Sequence, residues 1–165
     1  MQQSEINYTE QIIGQAIAAW AGQNKQVTGF FSKYEDSVYF NEVAPGRSRA
    51  IYILGHLAAV SDGLLPLFGL GERLFPELEP IFIRTPDRTV ADIPTLAELK
   101  QKWETINTTL TAHFAAMSSA DWMDRHMSVS PEDFAKEPTR NKFNVLLSRT
   151  IHQGYHMGQL NLMGV

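Results

Sequence analysis

Two histidines in the last apolar segment, His152 and His156, are the residues of this chain best spaced to do chemistry together. On an α-helix, side chains four residues apart differ by only about 40° around the axis and about 6 Å along it, so both imidazoles would lie on one face. Such a pair can share a metal ion, and a third imidazole from a neighbouring helix would leave coordination positions open. The spacing therefore predicts a metal site of the kind that catalytic metals use.

A third ligand is expected at a matching depth in the fold. His56 lies near the middle of the second helical segment, as His152 and His156 lie near the middle of the last one. His113 follows the apolar stripe of the third segment, but at about 1.5 Å per residue it lies roughly 10 Å from the middle of that helix. His126 falls in a polar connection, where we expect it to be exposed. We therefore predict that the metal ligands are His56, His152 and His156.

Three other metal or cofactor sites fit the sequence less well. In the zinc protease motif H-E-x-x-H the glutamate is the general base, but the residue here is Gln153, which cannot accept a proton at neutral pH. Di-iron bundles require inward glutamates, and residues 141–163 contain no acidic residue. A haem held between His56 and His156 has no other sequence feature in its favour.

Polar side chains near the pair are candidates to act beside the metal. Gln159 shares the face of both histidines, where it could orient a ligand, and Tyr155 is the second candidate. Tyr52 and Asn24 could supply a polar group as well, although packing or helix register is the favoured explanation for each of them.

Four segments with helical periodicity must position these residues. Their apolar residues recur every three or four positions, from about residue 7 to 31, 48 to 65, 95 to 117 and 141 to 163. Asn7 with Glu10 and Thr95 with Glu98 have the spacing of capping boxes, and Ser48 is the expected cap of the second helix.

The connections differ in composition. Residues 66–94 hold five of the eight prolines but are rich in leucine, isoleucine and phenylalanine, so we expect them to pack over the helices with a short helical turn. Residues 118–140 are more polar, and Ser130 begins a single helical turn. We predict an all-α fold, a four-helix bundle with one long crossover between helices 2 and 3, in which residues 1–165 form a single domain.

The composition narrows the class of protein. Fourteen basic and eighteen acidic residues give a net charge of −4, which argues against nucleic acid or an anionic membrane as the main partner. The chain contains no cysteine, which excludes disulfides, thiolate metal ligands and a cysteine nucleophile. No secretory signal is evident, and we expect no apolar run of membrane-spanning length. The expectation is a soluble, cytoplasmic protein.

Two segments resemble the DinB/YfiT-like superfamily of four-helix-bundle metalloproteins. PGRSRAIYILGHLAAVSDGL is similar to that family's second helix, and RTIHQGYHMGQL is similar to its H-x3-H-x-G-Q helix. The resemblance covers nearly the whole chain and implies a metal triad of His56, His152 and His156. It also implies a divalent metal such as nickel or zinc, a homodimer, and, in some relatives, transferase or isomerase activity with low-molecular-weight thiols. Gln153 stands where many relatives carry an acidic residue.

Two functions from different classes follow from these features. The first is a metal-dependent enzyme, holding zinc, nickel or iron, in which the metal activates a small thiol or a water for transfer or hydrolysis on a small-molecule substrate. The resemblance alone favours thiol transfer. The second is a non-catalytic, metal-stabilised dimeric bundle that binds a ligand or a partner. A bundle whose histidines bind no metal is the third possibility.

Overall fold

The computed structural model describes residues 7–164, and these residues form an all-α structure without a β-strand. The α-helices are α1 (Tyr8–Phe30), α2 (Ala50–Asp62), α3 (Leu64–Phe68), α4 (Leu78–Phe82), α5 (Leu96–Ala116), α6 (Ser119–Met123), α7 (Pro131–Lys136) and α8 (Lys142–Leu160). Short 3₁₀ helices cover Asp36–Phe40 and Asn161–Met163. The predicted all-α class is confirmed.

Three of the long helices begin where the sequence predicts. The Asn7 side chain accepts a hydrogen bond from the Glu10 backbone N–H (3.3 Å), and Thr95 forms both halves of a capping box with Glu98. Asn141 caps α8 by accepting from the Asn144 backbone N–H at 2.8 Å. Each side chain satisfies a backbone donor that has no partner inside its helix.

The second helix begins differently from the prediction. Helix α2 begins at Ala50, and Ser48 does not cap it. Instead, Asp87 accepts the backbone N–H of Arg49 at 2.8 Å and forms an ion pair with the Arg49 guanidinium at 2.6 Å. Burial alone would raise the pKa of the Asp87 carboxyl, but the hydrogen bonds from Arg49 outweigh it and hold that pKa below its usual range. The contact that holds the N-cap residue of α2 therefore comes from the connection that follows this helix.

The run Ala50–Phe68 corrects the expectation that no apolar run reaches membrane-spanning length. Its 19 residues have a mean hydropathy of 1.5, so length and composition alone would let it cross a membrane. In the structure 67% of the run is buried inside the protein, as in the core helix of a folded domain.

The long helices pack mainly in two pairs, α1 with α8 and α2 with α5, and α2 also contacts α8 and α4. Large apolar side chains fill the interior between them, including Trp20, Leu54, Leu57, Ile106, Phe114 and Leu146. Trp20 and Phe114 contact edge to face with ring centroids 4.9 Å apart. The midpoints of α2 and α8 are thereby held against each other around a mostly apolar core.

The apolar residues 66–94 pack on α2. Leu78 and Phe82 of α4 are fully buried, and the buried Asp62 carboxylate accepts the backbone N–H groups of Leu74 (2.8 Å) and Phe75 (3.0 Å). A Cβ on Gly55 would overlap the Phe82 ring, so only glycine at this position lets the ring lie directly on the helix. This contact brings the backbone of residue 82 next to His56.

Candidate metal centre

Helices α2 and α8 bring the three predicted histidines together. His152 Nε2 lies 3.2 Å from His56 Nε2 and 3.0 Å from His156 Nε2. One ring nitrogen from each residue falls within 4.8 Å of the other two, and all three residues are half-buried. The helical spacing of residues 152 and 156 and the matching depth of residue 56 produce this cluster, which we call the histidine cluster.

A backbone carbonyl fixes the orientation of His56. His56 Nδ1–H donates to the Phe82 carbonyl oxygen at 2.8 Å. A carbonyl can only accept, so Nδ1 carries the proton and Nε2 presents its lone pair to the other two rings. The packing of Phe82 on Gly55 therefore sets the tautomer of a ring 26 residues earlier in the chain.

The two polar candidates from the sequence fix His156 in the same way. His156 Nδ1–H donates to Gln159 Oε1 at 2.7 Å, and Gln159 Nε2 donates to the Tyr155 hydroxyl at 3.1 Å. With the Gln159 amide N–H donated to the Tyr155 hydroxyl, the amide oxygen faces His156 and accepts its Nδ1 proton. His156 Nε2 therefore also presents a lone pair to the centre of the cluster. Gln159 and Tyr155 act on the imidazole's far side.

The third histidine has no such support. His152 Nδ1 is buried and has no hydrogen-bond partner among the described residues. Its Nε2 faces two lone pairs and can donate a single proton to only one of them. Without a cation at the centre, the lone pair on one of the other two Nε2 atoms has no partner within the cluster.

The surroundings favour the neutral form of all three rings. Burial lowers the pKa of His56, His152 and His156, and for His152 the mutual repulsion with the other two rings and with Arg149 lowers it further, to about 4. The hydrogen bonds from His56 to Phe82 and from His156 to Gln159 oppose this effect only in part. Neutral imidazole is the form that binds a metal, so no proton competes for these nitrogens at neutral pH.

Two of the three separations between the ring nitrogens match those expected around one metal ion. With zinc–nitrogen bonds of about 2.0–2.1 Å, two nitrogens on the same ion lie about 2.9–3.4 Å apart for bond angles between about 90° and 109°. The separations of 3.0 and 3.2 Å fall in this range. An all-nitrogen donor set suits zinc, nickel, iron or copper rather than magnesium or calcium. The three histidines can therefore hold a transition-metal ion.

A cavity of about 300 Å³, which we call the histidine cavity, opens beside His56 and His156. Tyr52, Phe82 and Ile83 form part of its wall, and Tyr155 and Gln159 lie at its α8 side. Tyr52 donates its hydroxyl proton to the Thr85 carbonyl, so it holds the connection in place. The apolar connection walls the site, as the sequence predicts, and leaves room for a small molecule.

Gln153 lies outside the cluster although it lies between the two histidines in sequence. Its side chain is buried, and its Nε2 donates to Asn24 Oδ1 on α1 at 2.7 Å. Asn24 is therefore a packing partner between α1 and α8 and contributes no polar group to the cluster. An acid at position 153 would face α1, so in this chain the residue takes no part in proton transfer at the cluster.

The remaining histidines lie elsewhere. His113 lies in the last turn of α5, as predicted. His126 lies in the connection between α6 and α7, but it is half-buried rather than exposed, and burial lowers its pKa. Its neighbour Met127 donates its backbone N–H to the Leu67 carbonyl at 2.8 Å, which draws this segment onto the protein.

Two contributors to the site were not predicted from the sequence. The Phe82 carbonyl has no sequence signal, because any residue supplies one. Arg149 does have a signal: it precedes His152 by three residues, so it lies one helical turn away on a neighbouring part of the same face. It lowers the pKa of both His56 and His152 through charge repulsion.

The chain matches no protein-family model, and no curated protein is similar to it. The geometry alone therefore defines the class: an all-helical protein with three histidines arranged so that they can hold a metal ion.

Proposed function

We propose that this chain is a DinB/YfiT-like four-helix-bundle metalloprotein that uses a divalent metal to activate a small thiol or a water. The observation that carries the proposal is the convergence of three Nε2 atoms, two of them with lone pairs directed inward by Phe82 and Gln159. The pairing of α1 with α8 and α2 with α5, with residues 63–95 connecting α2 to α5, supports the bundle and its crossover.

The metal would be zinc, nickel or iron, held by His56, His152 and His156. A divalent ion with three neutral ligands keeps its full double charge, and when bound it would lower the pKa of a thiol or water enough to make it a nucleophile near neutral pH. Ring nitrogens from three residues leave further coordination positions for that group.

The chain's own residues would bind and orient the substrate. Gln159 and Tyr155 keep His156 in the required tautomer, and the exposed Tyr155 hydroxyl lies at the edge of the histidine cavity. Phe82 and Ile83 provide an apolar wall that excludes water from one side. A cavity of about 300 Å³ suits a small, partly apolar substrate.

The first experiment is elemental analysis of the full chain purified without an affinity tag. The proposal predicts one equivalent of a transition metal per chain. A metal content near zero that stays near zero after incubation with zinc, nickel, iron or cobalt salts would contradict it.

The second experiment separates the enzyme from the non-catalytic bundle. A cobalt-loaded sample is titrated with a small thiol while its d–d absorption is recorded. An open position predicts a change in the spectrum that saturates with thiol concentration. A spectrum unaffected by saturating thiol would favour a structural metal in a binding module.

The homodimer implied by the resemblance is part of the same proposal. Ile151 and Tyr155 are exposed by 73% and 62% on α8, and a second copy would cover such side chains. Sedimentation velocity measures the assembly state directly, and a monomer at micromolar concentration would contradict this part.

A further inference from the structure

Arg149 is a half-buried cation without a hydrogen-bond or ion-pair partner among the described residues. Its Nε is buried and makes no hydrogen bond, and no ion pair within residues 7–164 includes it. Burial lowers the pKa of its guanidinium, but arginine remains protonated in proteins. A charge that is partly desolvated and unpaired is costly, so its retention at this position needs a cause.

Arg149 lines a second cavity that adjoins the histidine cavity. This second cavity, the arginine cavity, has a volume of about 430 Å³. Val60 of α2 and Gly63, which follows the end of α2, also line it, four and seven residues after His56. Ile83 lines both cavities, so they meet at this side chain. A molecule of a few carbon atoms could extend from the histidine cluster to Arg149 along the contact between α2 and α8.

The charges around both cavities have one sign. Among the described residues, neither lining contains an aspartate or a glutamate, although the chain carries a net charge of −4. The lining cations are Arg47, Arg73 and Arg149, and only Arg73 has a carboxylate partner, Glu79 at 3.1 Å. Three neutral imidazoles would add no negative charge either. The surroundings therefore favour a ligand that brings its own negative charge.

We propose that Arg149 binds an oxyanion of the substrate, a carboxylate or a phosphate, while the reactive end of the same molecule lies at the histidine cluster. The planar guanidinium can donate two parallel hydrogen bonds to either group, which fixes the orientation of the ligand as well as its charge. The assignment of the reactive end rests on the proposed function, whereas the oxyanion site does not require a metal.

The test compares matched thiols on the cobalt-loaded full chain. Mercaptoacetate, 3-mercaptopropionate and 4-mercaptobutyrate are titrated beside 2-mercaptoethanol, 3-mercapto-1-propanol and 4-mercapto-1-butanol at constant ionic strength. The d–d absorption reports binding. We expect at least one carboxylate to bind about tenfold more tightly than its alcohol, because a charge-assisted hydrogen bond replaces a neutral one.

Three variants identify the source of that preference. Arg149→Gln should bring the carboxylate and alcohol affinities together while the alcohols bind as before, and Arg149→Lys should keep part of the preference. Arg140→Gln removes an exposed arginine outside both cavity linings and should leave the preference unchanged. A preference that survives Arg149→Gln, or equal binding of both thiol series to the wild type, overturns the proposal.

A metal-free measurement keeps the two hypotheses separable. The thermal unfolding midpoint of the metal-free chain is recorded with propionate, with methyl phosphate and with propanol. We expect at least one anion to raise the midpoint of the wild type and of Arg140→Gln but not of Arg149→Gln, and the more effective anion indicates the source of the oxyanion. Equal effects on the wild type and on Arg149→Gln overturn the oxyanion site whether or not the chain binds metal. Failure of every thiol to change the cobalt spectrum counts against the proposed function alone.

Discussion

Adjacent residues on α8 belong to two different polar clusters. Gln153 lies in the core and its Nε2 donates to Asn24, while its buried Oε1 has no partner among the described residues. His152 is half-buried, its Nδ1 has no partner among the described residues, and its Nε2 faces two other ring nitrogens. One position along the helix therefore separates an amide pair formed within the fold from three ring nitrogens that meet at one point.

The difference distinguishes a polar contact that stabilises the fold by itself from an arrangement that needs a bound cation. A buried amide pair contributes modestly when both partners are present and costs more when one is lost. Three ring nitrogens directed at one point contribute less, because a single Nε2 proton can pair with only one of the two lone pairs and burial disfavours a second proton. The arrangement becomes favourable when a cation occupies that point. Substitutions in each cluster test the two clusters separately.

The largest effect is expected for His152→Ala. Loss of the central ligand should abolish stoichiometric metal binding, because two imidazoles from different helices hold an ion much less tightly than three. Metal content after dialysis measures this loss of binding. His113→Ala removes a histidine from the last turn of α5 and should retain the full metal content. Stoichiometric metal in both variants would show that the ion binds elsewhere.

The second prediction concerns the support of the cluster. Gly55→Ala places a methyl group where the Phe82 ring lies, so the ring and its carbonyl must move away from His56. We expect overpacking to lower the free energy of unfolding by about 3 kcal/mol. We also expect the lost hydrogen bond to weaken metal binding at least tenfold, which corresponds to about 1.4 kcal/mol of binding free energy.

Gly22→Ala is the matched control for this substitution. It lies in α1, is exposed, and has open space around its Cβ position. Alanine there should stabilise the protein by about 0.5–1 kcal/mol through helix propensity, with no change in metal affinity. Urea denaturation and metal titration of both variants measure the two effects, and equal responses would contradict the role of Phe82.

Sequence patterns predicted the parts of the site that depend on local periodicity. The spacing of residues 152 and 156 requires only that the segment is helical, and Asn141 begins that helix as expected. The choice of His56 required one further argument, the depth of each residue along its helix. Local rules also placed the caps at Asn7 and Thr95, because a cap and its partner lie three residues apart.

The parts that depend on the path of a connection could not be predicted in this way. Asp87 accepts the N–H of the N-cap residue Arg49 from 38 residues away, where Ser48 was the local candidate for the cap. The Phe82 carbonyl reaches His56 only because residues 66–94 fold back over Gly55. Gln153 forms a hydrogen bond with Asn24, which lies 129 residues away in sequence, and no pattern in either helix specifies that pairing.

Gln153→Ala tests the amide pair formed by Gln153 and Asn24. The substitution leaves Asn24 buried without its partner, and we expect a loss of about 2 kcal/mol in the free energy of unfolding, with metal content unchanged. Gln15→Ala, at an exposed position of α1, should change stability by less than about 0.5 kcal/mol. The double variant with Asn24→Ala should lose less than the sum of the single losses. Loss of metal from Gln153→Ala would mean that the two clusters are coupled.

The smallest effect is the pH dependence of the metal-free protein. Burial lowers the pKa of all three histidines in the folded state, and that of His152 falls to about 4, whereas the unfolded value is about 6.5. As the pH falls below about 6.5, the unfolded chain takes up protons that the folded chain does not, so the free energy of unfolding decreases until the pH reaches the folded pKa. The rings are partly exposed and solvent screens the effect, so we expect a decrease of about 1 kcal/mol between pH 7.5 and pH 5.

The metal-loaded protein should be more stable at pH 7.5 and lose more over the same range, because the bound ion lowers the histidine pKa values further and is released on protonation. Urea denaturation at both pH values measures this, and a metal-free protein that gains stability on acidification would contradict the electrostatic account of the cluster.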